Sequence, residues 1–161
     1  MIRALLFVLG VTICAPAFAL SCLPPDVAQS YIRAAEATEP YIVVRGQLSF
    51  DPARLPSTDM LPQRKPAHTL IPARLTGQAL TRSGFDQAFD RAITLDVQCF
   101  GPWCASAVPG IEYLGFLERR DGGYVLAVDP CGGMAHPEPT PAMLDQVLTC
   151  LQGGPCAPKR P

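Results

Sequence analysis

Cysteine placement is the tightest constraint on this chain. Of its seven cysteines, Cys14 lies inside an uncharged run from Ala4 to Phe18 that follows Met1-Ile2-Arg3 and ends in the small-residue pattern Ala17-Phe18-Ala19. One positive charge, a short apolar stretch and an Ala-x-Ala site are the parts of a cleavable signal peptide, predicted here as residues 1–19. Removing it takes Cys14 away and leaves Cys22, Cys99, Cys104, Cys131, Cys150 and Cys156. An even set of six suits an oxidising compartment, in which all can pair. The expected pairing is Cys22 with Cys131, Cys99 with Cys104, and Cys150 with Cys156, one of about 15 connectivities that six cysteines allow and not one the sequence dictates.

Two other readings of the leader are weaker. As a membrane anchor the run falls short of the roughly 20 apolar residues that a bilayer requires, and it contains Pro16. As a lipoprotein signal it would put a lipid on Cys22, but Ala19 and Leu20 are poor matches before such a cysteine, and one of the remaining five would be stranded. The expected product is therefore periplasmic or secreted, with a lipid anchor at Cys22 as the alternative.

Residues 20–161 make one domain, long enough to bury a core. Loss of Arg3 lowers the formal net charge from −1 to −2. A weakly acidic chain with scattered cations carries no basic footprint for nucleic acid and no polybasic membrane patch. No transmembrane segment is expected after residue 19.

Hydrophobic periodicity divides the domain. Pro24-Pro25-Asp26 reads as a helix start, with Val27, Ala28, Tyr31, Ile32 and Ala35 at helical spacing and Pro40 as the stop. Residues 41–51 alternate as a strand, and Gly46 on its apolar face predicts a sharp bend or bulge. The Pro-rich stretch 51–68 reads as a surface loop. Residues 69–80 form a weaker strand, which Pro72 should confine to an edge or bulge. Strands are also expected at 89–99, 112–119 and 124–129, the last two joined by the hairpin signal Asp121-Gly122. Thr140-Pro141 opens a helix carrying Met143, Leu144, Val147, Leu148 and Leu151, ended by Gly153-Gly154. Residues 152–161 are a tail.

The order helix, five strands, helix suits a small closed barrel, because closure removes exposed strand edges. Four stretches resemble the netrin-like module, the barrel shared with tissue inhibitors of metalloproteinases. They are the early Cys22, the strand Val43-Val44-Arg45-Gly46-Gln47-Leu48, the run Gly110-Ile111-Glu112-Tyr113-Leu114-Gly115-Phe116-Leu117, and Tyr124-Val125-Leu126 leading to Pro130-Cys131-Gly132. The segment Cys99-Phe100-Gly101-Pro102-Trp103-Cys104 is similar to one in uncharacterised secreted bacterial proteins. The resemblance implies a mainly β, disulfide-bridged fold: a five-stranded OB-like barrel with an N-terminal and a C-terminal helix. It does not imply protease inhibition. The family's inhibitors chelate zinc through the amine and carbonyl of a first-residue cysteine, whereas Leu20 and Ser21 precede Cys22 here and Pro24 replaces a second cysteine.

Catalytic signals are sparse. The Cys99 to Cys104 segment places four residues between its cysteines rather than the two of a thiol redox motif, so a structural bridge is the better reading. Trp103 is expected to cap the barrel end. His68, on the loop edge, and His136, in a turn, have no partner at metal-ligand spacing. Ser83 lacks the glycines of a hydrolase elbow. Glu112, Glu118, Asp121 and Asp129 read as solvated strand faces and turns rather than paired acids. No phosphate loop or dinucleotide fingerprint occurs, and no cofactor, metal or catalytic residue is assigned. The expected function is a non-enzymatic module of the cell envelope that recognises a protein or saccharide through barrel loops. The alternative is a thiol-disulfide redox or hydrolytic enzyme using the Cys99 to Cys104 loop.

Overall fold

The computed structural model describes residues 20–59 and 65–158. The predicted signal peptide lies outside them. Ten elements follow in chain order: helix α1 (Val27–Glu36), β1 (Tyr41–Phe50), a 3-10 turn (Pro52–Arg54), β2 (His68–Thr81), β3 (Gly84–Phe100), β4 (Trp103–Cys104), β5 (Glu112–Arg120), β6 (Gly123–Val128), β7 (Ala135–Pro137) and helix α2 (Pro141–Leu151).

Five strands close on themselves in the order β1-β2-β3-β6-β5, and β5 returns to pair with β1. Every contact in this ring is antiparallel except β3 with β6, which run parallel from Thr94↔Val125 to Val97↔Val128. The short β4 and β7, unforeseen in the sequence, pair with β3 and β5. Inside the ring lie Val44, Leu48, Ile71, Leu75, Ile93, Leu95, Val97, Leu117 and Leu126. Outside β1 and β5 a second core joins Leu114 and Phe116 to Val27 of α1 and Val147 of α2, with Tyr31, Tyr41 and Val43 packed against it.

Local chemistry explains the helix starts. Asp26 accepts from the N–H groups of Ala28 and Gln29, satisfying donors that the first turn leaves open. Thr140 caps α2, with Pro141 at the first helical position, where its missing N–H costs nothing. Asp121 (φ 49°) and Gly122 (φ 77°) form the two-residue turn between β5 and β6, both in the left-handed region that such a turn requires.

Several expectations change. Gly46 carries no bulge, because β1 stays in register with β2 from Val44 to Phe50. It faces Gly77 instead, and a Cβ on Gly46 would lie 2.6 Å from the Thr76 carbonyl oxygen, so the glycine pair permits a close strand approach. β2 is not an edge strand. It is paired on both sides from Ala73 to Ala79, and Pro72 sits just past the point where β1 pairing ends. β3 starts at Gly84 rather than near residue 89, so β2 and β3 form one long hairpin whose register shifts between Ala79 and Leu80. Trp103 is part-exposed on β4 and lies outside the ring core.

Six cysteines form three disulfides: Cys22–Cys131, Cys99–Cys104 and Cys150–Cys156. This pairing coincides with the expected one. Three bridges suit an oxidising, extracytoplasmic setting. Among the described residues no helix is long and apolar enough to cross a membrane.

Candidate functional site

The cysteine loop is built as a corner. Cys99 lies buried in β3 and is the direct cross-strand neighbour of Cys104. Neither cysteine stands at a helix N-terminus, the setting that stabilises a redox thiolate.

His136 lies in β7 rather than in a turn, 2% exposed, with Nε2 2.9 Å from Ser30 Oγ of α1. This contact has the spacing of a nucleophile and its base, but its polarity is reversed. The Ser30 hydroxyl also lies 2.8 Å from the Gly133 carbonyl oxygen and 3.1 Å from that of Asp26. Carbonyls only accept, so the single hydroxyl hydrogen goes to them and His136 Nε2–H donates to Ser30. The pair is a strut joining α1 to β7. Burial holds the His136 pKa below its usual value, with Asp26 acting weakly in the other direction.

The other candidates are dispersed. His68, at the start of β2, donates its Nδ1–H to Asp96, whose carboxylate also receives a hydrogen bond from Gln98. The Ser83 hydroxyl is bound to Thr81 and Asp86 in the hairpin turn. Glu112 pairs with Arg45, and Glu118 takes a two-point contact from Arg120. Asp121 is in the β5–β6 turn, and Asp129 accepts from the Cys131 N–H. No group of three or more His, Cys, Asp or Glu that could hold a metal occurs among the described residues.

A concave site lies at one mouth of the ring. There the β2–β3 hairpin diverges from β1 and β6, leaving a cleft of about 420 Å³, within the range of small-ligand pockets. Three of the chain's four tyrosines line it: Tyr31 of α1, Tyr41 of β1 and Tyr124 of β6. Phe89 forms the inner wall, edge-on to Tyr124 with ring centres 5.3 Å apart. Strand alternation puts Arg91 on the same face as Phe89 and Ile93, and Arg119 on the same face as Leu117, so both cations project toward the mouth. The Arg119 guanidinium lies 5.8 Å from the centre of the Tyr124 ring.

The carboxylates of Asp90 and Glu118 take their hydrogen bonds from other groups. Asp90 turns to the outer face, where Arg74 binds both of its oxygens at 2.7 Å and Thr76 adds a third contact. Glu118 is held by Arg120 and receives the Tyr41 hydroxyl at 3.4 Å. That carboxylate and partial burial, burial foremost, raise the Tyr41 pKa, so the phenol remains a neutral donor. Among the described residues Arg91 and Arg119 form no salt bridge. The mouth thus offers aromatic walls, phenol groups and two cations.

A second groove of about 630 Å³ runs along the N-terminal segment, between Pro24, Pro25, Arg33 and Asp129. Its two carboxylates are occupied in capping: Asp26 at α1 and Asp129 in the turn at Cys131.

Comparison of the chain with protein-family models, curated proteins and solved structures returned no match. The mouth residues escaped sequence reading because they stand singly between positions 31 and 124. The only available signal was an arginine on the apolar face of each of two strands, Arg91 and Arg119.

Proposed function

We propose that this protein is a non-enzymatic binding module of the periplasm or extracellular space, built on an OB-like, netrin-like barrel, and that it holds a protein or saccharide ligand at the ring mouth. The fold part of the reading is supported by the strand order and by the single parallel contact, β3 with β6, that closes five otherwise antiparallel strands. The observation that carries the functional part is the mouth itself: Tyr31, Tyr41 and Tyr124 around Arg91 and Arg119, which form no salt bridge among the described residues. Aromatic walls with a few convergent polar groups are the usual make-up of a ligand site.

The test is titration of isotope-labelled protein with soluble cell-wall glycan fragments and with peptides from an envelope digest, followed by amide chemical shifts. Shifts centred on residues 31, 41, 91, 119 and 124 are expected. Shifts confined to residues 99–104, together with ready exchange of that bridge under mild reductant, would replace this reading with the redox one.

A further inference from the structure

The longest strand is fully paired on one side only. β2 accompanies β3 from Gly84 to Gln98, whereas on the opposite side β6 covers Thr94 to Val97 and β4 covers Cys99 and Phe100. Residues 84–93 therefore have a free edge, and Gln87, Ala88, Phe89 and Arg91 of this stretch line the mouth.

Two hydrogen bonds reveal which main-chain groups face that edge. The Cys99 N–H donates to the Ala67 oxygen at 2.9 Å, on the β2 side, and the Ala105 N–H donates to the Gln98 oxygen at 2.9 Å, on the other side. Main-chain groups alternate along a strand, so odd-numbered residues of β3 turn toward β2 and even-numbered residues turn away. Pro72 agrees with this phase: it lies opposite Thr94, and its nitrogen, which has no hydrogen, points away from β3. The register with β2 is unbroken from His68↔Gln98 to Ala79↔Gln87, so the phase persists along the free edge. Ala88, Asp90 and Ala92 thus direct their N–H and C=O groups outward, and among the described residues no strand meets them.

Free edges are ordinarily guarded by a lysine, a proline, a bulge or a cover. This one has two alanines, and its Asp90 carboxylate is drawn across to Arg74 and Thr76 on β2. The one register shift of the hairpin lies beyond Gln87. We infer that the edge at Ala88, Asp90 and Ala92 accepts an extended acidic peptide as an added strand, its main chain bonded to those residues and its carboxylates set against Arg91 and Arg119. Main-chain pairing would supply affinity and the cationic mouth would supply selectivity. The inference rests on the mouth being the binding site and narrows its ligand to a peptide.

Amide hydrogen exchange of the labelled protein tests it, with a pool of random hexapeptides carrying one fixed glutamate as the probe. The N–H groups of residues 88, 90 and 92 should exchange about tenfold more slowly with the pool present. A pool with lysine in place of glutamate, or with N-methylated amides, should leave them unchanged. Ala88→Pro removes an outward N–H without touching the β2 ladder and should abolish the protection, and Arg91→Glu, which leaves the main chain intact, should do the same.

Equal protection by the lysine pool, no protection by the glutamate pool, or protection that survives both substitutions would overturn the inference. So would a dimer in sedimentation that Ala88→Pro abolishes, because the edge would then belong to a second copy. Glycan-induced shifts at the mouth without peptide protection would overturn this inference while leaving the mouth as the binding site.

Discussion

β5 and the first half of β3 are neighbours across the ring mouth and are held in opposite ways. From Tyr113 to Leu117 every residue of β5 is buried, with Tyr113 and Leu117 turned into the ring and Leu114 and Phe116 turned under the helices. The strand is hydrogen-bonded to β1 on one side and to β6 and β7 on the other. From Asp86 to Ala92 only Phe89 of β3 is buried, and β2 alone holds the backbone. A strand packed on both faces and paired on both edges fixes the architecture, whereas one with an open face and an open edge has groups to spare for a partner.

Truncation should expose this difference most sharply. Phe116→Ala removes a fully buried ring from the second core and should cost about 3–5 kcal/mol in urea denaturation. Gln87→Ala in the arm of β3 should stay within about 0.5 kcal/mol. Comparable losses at the two positions would break the contrast.

The longest covalent tie anchors the segment that leads into α1, the helix packed on β5. Cys22–Cys131 joins the segment before α1 to the loop after β6, at a sequence separation of 109, while Cys150–Cys156 closes a separation of only 6. Because a bridge acts largely by restricting the unfolded chain, replacing Cys22 and Cys131 together by serine should cost about 2–5 kcal/mol. Removing the Cys150–Cys156 bridge should cost less in the same assay. Equal losses would mean that local geometry outweighs loop length.

The smallest effect is a pH slope from His136, again on the β5 side. Its folded pKa is depressed by burial, so the unfolded imidazole binds a proton first as pH falls. Stability should be full above about pH 6.5, decline as pH drops from there toward the folded pKa, and then level off. His136→Gln should flatten that slope in melts recorded across the range. An undiminished slope in the variant would assign it to another group.

Legibility in the sequence follows the same division. Both helix caps, the Asp121-Gly122 turn and the alternation of β1 were readable because short-range chemistry decides them. The start of β3 was not. Asp86, Gln87 and Ala88 are exposed in succession, so residues of both faces meet water and the two-residue period disappears. Closure of β5 onto β1 and the parallel contact of β6 with β3 are tertiary choices, with no local signal at Tyr41 or Thr94 to announce them. The mouth depends on both choices, so its residues could not be assembled beforehand.

The Cys22–Cys131 bridge also sets what a protease can do to this protein. Every bond of the proline-rich connection between β1 and β2 lies between those two cysteines. A cut there yields two fragments that cannot separate, because the sulfurs join them and β1 remains seated between β2 and β5. The nicked molecule should run as one species on a non-reducing gel and as two after reduction, so the connection can be severed without shedding either part.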